Sequence, residues 1–256
     1  MDWLSACILG VVEGVTEFLP VSSTGHMILA GKLMGLPATD FLKSFEIAIQ
    51  LGAILAVVVL YTRTLLVRPS VILKVACAFL PTAVIGLLLY KIVKKVLLGS
   101  SSVVLWALLL GGIFLVLFEL FYKERRDGAG LEGVTIKQAF IIGVFQSLAV
   151  IPGVSRSAAT IVGGLCLGLN RSVAAEFSFL VAVPTMAAAA ALDLSKSAMA
   201  FTGQDMLALA IGFLVSFAVA VVVIKGFVHY VQRNNFLVFG VYRIVLAVAL
   251  LWFWRV

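Results

Sequence analysis

Six runs without a charged residue divide this chain into segments of membrane length. The runs cover residues 47–62, 75–90, 96–118, 177–192, 206–224 and 244–254. With their flanks they approach the ~20 residues that an α-helix needs to cross the hydrocarbon of a bilayer. Of the 256 residues, 63% are hydrophobic and 12% are charged, which is more apolar surface than one soluble core can bury. The sequence therefore predicts an all-α integral membrane protein.

The positive charge of the chain fits a membrane protein better than a nucleic-acid-binding protein. The formal net charge is +7, but the basic residues fall mostly in short loops between the apolar runs. This distribution is the positive-inside pattern of membrane proteins. We therefore expect the lipid bilayer as a partner and no nucleic acid.

An internal repeat is visible when the sequence is shifted by 133 residues. The shift aligns "GVVEGVTEFLPVSSTGHMILAGKLMGL" (10–36) with "GVFQSLAVIPGVSRSAATIVGGLCLGL" (143–169), and eight of the 27 positions are identical without a gap. The two halves are interpreted as copies within one membrane domain: repeat 1 at 1–125, repeat 2 at 138–256, and a polar linker at 123–137 between them.

Each repeat begins with a segment that is a poor membrane span. Pro20 interrupts the first segment and Pro152-Gly153 the second, and serines and threonines follow that favour the start of a new helix. In the first segment the new helix is expected to start after "VSST" (21–24). Two short helices joined by a polar turn predict a re-entrant hairpin, a form that survives at membrane depth only when it is buried in protein or lines a wet cavity. The longer spans are then expected at 41–62, 71–92, 102–122, 174–194, 206–228 and 236–254.

Three spans after each hairpin predict that the second copy is inverted relative to the first, as in many transporters. Ten basic residues then fall on one side of the membrane and six on the other. The positive-inside rule makes the side with ten cytoplasmic, so both termini and the mouth of the first hairpin are expected to face the periplasm.

The first motif, "EGVTEFLPVSSTGHM" (13–27), concentrates reactive side chains in an apolar region. Glu13 and Glu17 are four residues apart, so on a helix both project from one face. They are suited to a hard divalent cation, to general-base catalysis, or to structural hydrogen bonds with the other hairpin. His26, three residues after Ser23, could transfer a proton or attack phosphorus.

The second motif, "PGVSRSAAT" (152–160), has the features of an anion site. Gly153, Ser155, Arg156 and Ser157 lie at a predicted helix start, where free N–H groups and the helix dipole attract anions. Arg156 adds a planar fork suited to phosphate oxygens, although it could also pair structurally with Glu13 or Glu17. If the two hairpins meet, the acids, Ser22, Ser23, Thr24 and His26 face this anion site.

Both motifs closely resemble the signatures of the bacterial undecaprenyl-diphosphate phosphatases of the bacitracin-resistance type. The resemblance extends to "FEIAIQLGAILAVV" and "EFSFLVAVP" and covers essentially the whole chain. It implies an inner-membrane enzyme that removes one phosphate from the C55 polyprenyl diphosphate and so recycles the carrier lipid for peptidoglycan synthesis. It also implies catalytic or binding roles for Glu13, Glu17, Ser23, His26 and Arg156, and dependence on a divalent cation, Mg²⁺ or Ca²⁺.

Several alternatives remain open from the sequence. The nucleophile could be Ser23, His26 or water, with Ser23 favoured because it lies at the turn, close to Glu17. Glu13 and Glu17 could bind the metal or relay protons. Inverted repeats with broken helices also occur in transporters and lipid flippases, which form the rival functional class. The oligomeric state is open, with a homodimer among the alternatives.

Overall fold

The computed structural model describes residues 1–37, 39–92, 101–123, 130–194 and 202–254. These residues form eleven α-helices and two short 3₁₀ segments, and they contain no strand. The helices are α1 (Trp3–Thr16), α2 (Ser23–Leu33), α3 (Asp40–Leu60), α4 (Thr62–Val67), α5 (Pro69–Ile92), α6 (Ser101–Phe121), α7 (Ile136–Gln146), α8 (Arg156–Cys166), α9 (Arg171–Leu194), α10 (Gly203–Val231) and α11 (Leu237–Trp254). The 3₁₀ segments are Leu131–Gly133 and Ser147–Val150.

Five helices of the described chain are long and apolar enough to cross a membrane: α3, α5, α6, α9 and α10. The prediction of a multi-pass α-helical membrane protein is therefore confirmed. The sixth predicted span is present as α11, which belongs with α1 and α7 among the shorter apolar helices. Residues 124–129 of the predicted polar linker lie outside the described residues.

The helix boundaries follow the repeat seen in the sequence. Adding 133 to the first residues of α1 and α2 gives the first residues of α7 and α8, and adding 133 to the last residues of α2 and α6 gives the last residues of α8 and α11. The repeat in the amino-acid sequence is therefore accompanied by a repeat of helix boundaries.

A short break separates the two helices at the start of each repeat. We call residues 17–22 the first break and residues 151–155 the second break. Ser22 and Ser155 end the breaks at matching positions, with φ of 72° and 79°, and their hydroxyls accept hydrogen bonds from the N–H groups of Gly25 and Ala158. The second short helix was expected after "VSST", but it begins one residue after Ser22, because Ser22 is its N-cap.

The two repeats are interleaved rather than side by side. Helix α1 packs on α10 of the second repeat, and α7 packs on α5 of the first. Two glycines at matching positions allow the close approach: a Cβ at Gly10 would lie 2.8 Å from the Gly212 carbonyl oxygen, and one at Gly143 would lie 2.0 Å from that of Ala78. Small residues at such contacts are typical of membrane helix packing. Each first short helix is thereby fixed by a helix from the other repeat.

A buried ion pair joins α6, α9 and the start of α11. Arg171 donates from Nη2 to Oε2 of Glu119 at 2.8 Å, and Oε1 of Glu119 accepts a hydrogen bond from the Phe236 N–H at 3.0 Å. The Arg171 guanidinium also lies over the rings of Tyr122 and Phe236. None of these residues lines the cavity described next, so the pair stabilises the helix bundle at a distance from it.

Candidate active site

A cavity of about 800 Å³ lies where the two breaks meet α5 and α9. Its polar end carries most of the residues that the sequence singled out: Glu17, Ser22, Ser23, Thr24, Gly153, Ser155 and Arg156. The structure therefore brings the two motifs together, although they are more than 120 residues apart in the chain.

Glu17 connects the two motifs. Its Oε2 accepts a short hydrogen bond from the Ser23 hydroxyl, and its Oε1 forms an ion pair with Nη2 of Arg156 at 3.0 Å. The side chains of Arg156 and Glu17 are only 11% and 5% exposed, so the pair is largely removed from water. A hydroxyl that donates to a buried carboxylate is the arrangement of an activated nucleophile and its base. Of the two pairings of Arg156 that the sequence left open, the one with Glu17 is present.

Arg156 is held in place from its other side by α9. Its Nη1 donates to the backbone carbonyl of Ser178 at 2.9 Å, and the Ser178 hydroxyl accepts a hydrogen bond from Thr160 at 2.6 Å. Its Nε is buried and has no hydrogen-bond partner among the described residues. The guanidinium therefore has a fixed orientation and one donor left over.

Two helix N-termini meet the cavity. Helices α2 and α8 both begin at cavity-lining residues, Ser23 and Arg156, directly after the serines with positive φ. The N-terminus of an α-helix carries unpaired N–H groups and the positive end of the helix dipole, which together bind anions. The cavity thus presents two anion-binding helix ends, with Arg156 at the start of one of them.

Glu13 is completely buried and lies one helical turn before Glu17. Neither of its carboxylate oxygens has a hydrogen-bond partner among the described residues, and Glu13 does not line the cavity. A buried carboxylate without a partner is costly, so it requires a proton or a cation.

The described residues contain no group of three His, Cys, Asp or Glu side chains that could hold a metal ion. A cation held by Glu13 and Glu17 would therefore have to take most of its ligands from water or phosphate, as Mg²⁺ commonly does.

His26 lies outside the cavity. Its Nδ1 is 2.7 Å from the carbonyl oxygen of Ser22, and its Nε2 is 2.7 Å from the hydroxyl of Tyr242 in α11. A carbonyl can only accept, so Nδ1 carries the proton, and in the neutral ring Nε2 accepts from Tyr242. The imidazole also stacks on the Tyr242 ring, with centroids 5.6 Å apart. Both ring nitrogens are engaged in holding the first break against α11.

Ser157 also has a partner away from the cavity. Its hydroxyl donates to the carbonyl of Phe18 in the first break at 2.8 Å, and it is absent from the cavity lining. Successive helical residues point about 100° apart, so Ser157 faces the first break while Arg156 faces the cavity. Ser157, which was predicted to bind substrate, thus forms a contact between α8 and the first break.

The opposite end of the cavity is an apolar wall between α5 and α9. Its members are Phe79, Ala83, Gly86, Leu87, Met186, Ala188, Ala189, Ala191 and Leu192. Between this wall and the polar end, Gln146 donates from Nε2 to the hydroxyls of Thr82 and Thr185 at 2.8 and 2.9 Å. This network ties α5, α7 and α9 together in the lining of the cavity.

Sequence reasoning missed several residues around this site, among them Gln146, Ser178, Tyr242 and Arg243. Gln146 occupies the position in repeat 2 that Glu13 has in repeat 1, so the alignment of the two repeats could have identified it. Arg243 is the one charged residue of the α11 sequence, and a charge inside a membrane segment is usually functional. Ser178 contributes a backbone carbonyl, for which no local signal exists.

A comparison with known families finds one that covers nearly the whole chain. The family described as bacitracin resistance protein BacA matches residues 6–249. The matched region includes both breaks, the cavity and every residue of its polar end.

Individual relatives agree with this match. A protein of Aquifex aeolicus named undecaprenyl-diphosphatase is 49% identical over 245 residues, which is 96% of this chain and 95% of the relative. Proteins with the same name from Wolinella succinogenes and Persephonella marina are each 50% identical over 254 residues, covering 99% of this chain and 98% and 99% of the relatives.

Proposed function

Because the chain belongs to the bacitracin resistance protein BacA family, we propose that it is an undecaprenyl-diphosphatase. The reaction is hydrolysis of the C55 polyprenyl diphosphate to the monophosphate and inorganic phosphate, which recycles the carrier lipid for peptidoglycan synthesis. The observation that supports this function best is the contact of Ser23, Glu17 and Arg156 at the polar end of a cavity whose other end is apolar.

In the proposed mechanism, the Ser23 hydroxyl attacks the terminal phosphorus and passes its proton to Glu17. The bond between that phosphorus and the bridging oxygen breaks, and the polyprenyl monophosphate leaves with the electron pair. The leaving monophosphate takes the proton from Glu17, which restores the carboxylate. Water then gives a proton to this carboxylate and attacks the phosphorus of phosphoserine. The bond from phosphorus to Oγ breaks, Oγ of Ser23 takes the proton back from Glu17, and inorganic phosphate is released. His26 is a weaker candidate nucleophile, because both its nitrogens are engaged outside the cavity. Direct attack by water, with Glu17 as base, requires no covalent intermediate.

The diphosphate is bound by two sets of donors. The helix ends at Ser23 and Arg156 each suit one phosphate group, and the hydroxyls of Ser22, Thr24 and Ser155 line the same end of the cavity. The Arg156 guanidinium stabilises the charge that develops on the phosphoryl oxygens during transfer. In the free enzyme, Glu17 holds this guanidinium close to Ser23.

The polyprenyl tail follows the apolar wall between α5 and α9. This wall consists of small and apolar side chains, and at Gly86 no atom lies within 4 Å of the position a Cβ would take. Hydrocarbon placed there is removed from polar groups. A lipid with an anionic head and an apolar tail therefore matches the two ends of one cavity.

A divalent cation, Mg²⁺ or Ca²⁺, is part of the proposal. The unpartnered oxygens of Glu13 and the nearby Glu17 would be its protein ligands, and the metal would supply charge neutralisation for the diphosphate. Because Glu17 already has two protein partners, Glu13 would be the main ligand. Chelation should abolish phosphate release, and added Mg²⁺ or Ca²⁺ should restore it; full activity in excess chelator would remove the metal from the proposal.

In the membrane, we expect the two helix–break–helix units to be re-entrant hairpins and the second repeat to be inverted. The matching helix boundaries support this arrangement, as do the three long helices of repeat 1 and the two long helices of repeat 2 that are followed by the shorter α11. The distribution of basic residues supports an orientation in the inner membrane with both termini and the first break toward the periplasm. A homodimer remains a prediction.

The function is tested by phosphate release from undecaprenyl diphosphate in detergent. Wild type should release phosphate, and Ser23→Ala and Glu17→Gln should lose at least ~10²-fold in rate. The controls are Ser70→Ala and Glu132→Gln, which change exposed residues that do not line the cavity. Acid quenching and mass spectrometry should trap phosphate on Ser23. A purified protein that moves lipid between leaflets but releases no phosphate would instead be a transporter.

A further inference from the structure

Arg243 is a buried cation that the proposed mechanism does not use. It lies in α11 and is 1% exposed. Among the described residues it has no carboxylate partner, since all its polar contacts are with backbone carbonyls. Burial of a charge without an opposite charge is costly. A fold that carries such a residue requires a compensating interaction.

The compensation comes from five hydrogen bonds, one for each N–H of the guanidinium. The acceptors are the carbonyl oxygens of Pro20 at 3.3 Å and Val154 at 3.1 Å from Nη1, Gly153 at 2.9 Å and Ala107 at 3.0 Å from Nη2, and Leu108 at 3.4 Å from Nε. Every donor is used, so Arg243 has none left for a substrate.

Three of these carbonyls belong to the two breaks. Pro20 lies in the first break and Gly153 and Val154 in the second, and Pro20 and Gly153 are matching positions of the repeat. One side chain thus binds equivalent points of both breaks, two residues before Ser22 and Ser155. The other two acceptors lie in α6, so the breaks are fixed to each other and to a long helix.

The contact with Val154 also fixes the direction of a donor in the anion site. The described chain has no cis peptide bonds, and in a trans peptide the C=O and the following N–H point in opposite directions. With the Val154 carbonyl directed at Arg243, the N–H of Ser155 points away from it. Ser155 lines the cavity, so Arg243 controls the direction of its backbone N–H group.

We infer that Arg243 is a positioning residue for the diphosphatase reaction. It acts from behind the breaks and sets the distance and orientation between Ser23 on one and the anion site at Arg156 on the other. The inference rests on the proposed function. It assigns to α11 a role in catalysis that does not involve contact with the lipid.

The first test is Arg243→Lys. Lysine keeps the charge but has a single nitrogen, which cannot reach carbonyls of both breaks and α6 together. We expect kcat per folded protein to fall about 100-fold, as for a misplacement of about 1 Å. KM for the polyprenyl diphosphate should change less than about threefold, because the tail provides most of the ground-state binding. Size-exclusion chromatography gives the folded fraction.

Arg171→Lys is the matched control, since Arg171 is also a buried arginine but lies away from the cavity. It should lower the unfolding temperature while kcat per folded protein stays unchanged. An Arg243→Lys protein with kcat within about threefold of wild type, well inside the loss expected for misplacement, would overturn the inference. An equal loss of kcat in Arg171→Lys would overturn it as well. A wild-type protein without phosphate release would instead refute the proposed function.

A second variant covers the case in which Arg243→Lys does not fold. A Cβ at Gly111 would lie 2.2 Å from Nη2 of Arg243, so Gly111→Ala displaces the guanidinium without removing it. Gly226→Ala is its control, because no atom lies within 4 Å of the corresponding Cβ position. We expect a lower kcat for Gly111→Ala only. Equal kcat in both variants would contradict the positioning role.

Discussion

The ion pair between Glu17 and Arg156 allows stability and catalysis to be measured separately on the same two residues. Glu17→Gln removes a charge with little change in volume, and Arg156→Met removes the guanidinium but keeps an apolar stem. Either single substitution leaves a buried charge without its partner. The double substitution removes both charges and leaves none uncompensated.

The magnitudes follow from the burial of the pair. Both side chains are about nine-tenths buried or more, so each single variant should lose about 3–5 kcal/mol in the free energy of unfolding. For a chain of this size the loss corresponds to a decrease of about 6–20 °C in unfolding temperature. The double variant should recover most of it. Catalysis should not recover in the double variant. Without Glu17, Ser23 has no base, and without Arg156, the diphosphate has no guanidinium. The rate of phosphate release should therefore fall at least ~10²-fold in all three variants.

Two assays in the same detergent decide the outcome: tryptophan fluorescence during heating, and phosphate release normalised to folded protein. The control is the second buried pair, Glu119 and Arg171, whose side chains are 2% and 7% exposed. Glu119→Gln, Arg171→Met and their combination should repeat the stability pattern with activity retained. If the Glu17 and Arg156 double variant recovers phosphate release together with stability, the pair is structural and the catalytic assignment is wrong.

Three further predictions concern the anion site, the apolar wall and the topology. Arg156→Lys should lose nearly as much kcat/KM as Arg156→Ala, on the order of 10³-fold, because lysine cannot grip two phosphate oxygens at once; substantial rescue by lysine would reduce Arg156 to a source of positive potential. Gly86→Trp should raise KM for the C55 substrate at least about tenfold, which is the effect of losing the burial of two or more methylene groups. KM for a short-chain diphosphate should change little. Equal effects on both substrates would show that the tail lies elsewhere. A cysteine replacing Pro37 should react with an impermeant reagent from outside the cell, and one replacing Asn170 only from inside; labelling from the same side would exclude the inverted repeat.

Much of the fold was predictable because the strongest signals are local or periodic. Apolar runs located the long helices, and Pro20 and Pro152 located the breaks. The repeat located equivalent residues, so Ser22 and Ser155 could be matched before their backbone conformations were known. The start of α2 was placed too late, because the serine that caps the helix is the first of the three hydroxyl residues in that motif, Ser22, rather than the last.

The candidate site was predictable in composition but only in part in geometry. The chemistry of Glu17, Ser23 and Arg156 follows from their types, and they do meet. Sequence spacing placed His26 on the face of Ser23, whereas its ring lies on Tyr242, more than 200 residues away in the chain. The role of Arg243 depends on backbone carbonyls from three elements, and a carbonyl has no sequence signature.

The interleaving of the repeats has a consequence for how the protein is made. Glu17 and Arg243 are separated by 226 residues (243 − 17), which a ribosome requires about 10–45 s to translate at typical rates. During that interval α1 and α2 are in or near the membrane, but α10 and α11 do not yet exist. Glu17 gains its partner Arg156 once α8 has been made, whereas α1 lacks the helix on which it packs until α10 is complete. A nascent chain that ends before α11 already contains the nucleophile, the base and the guanidinium, yet it becomes an organised site only when the last helix arrives.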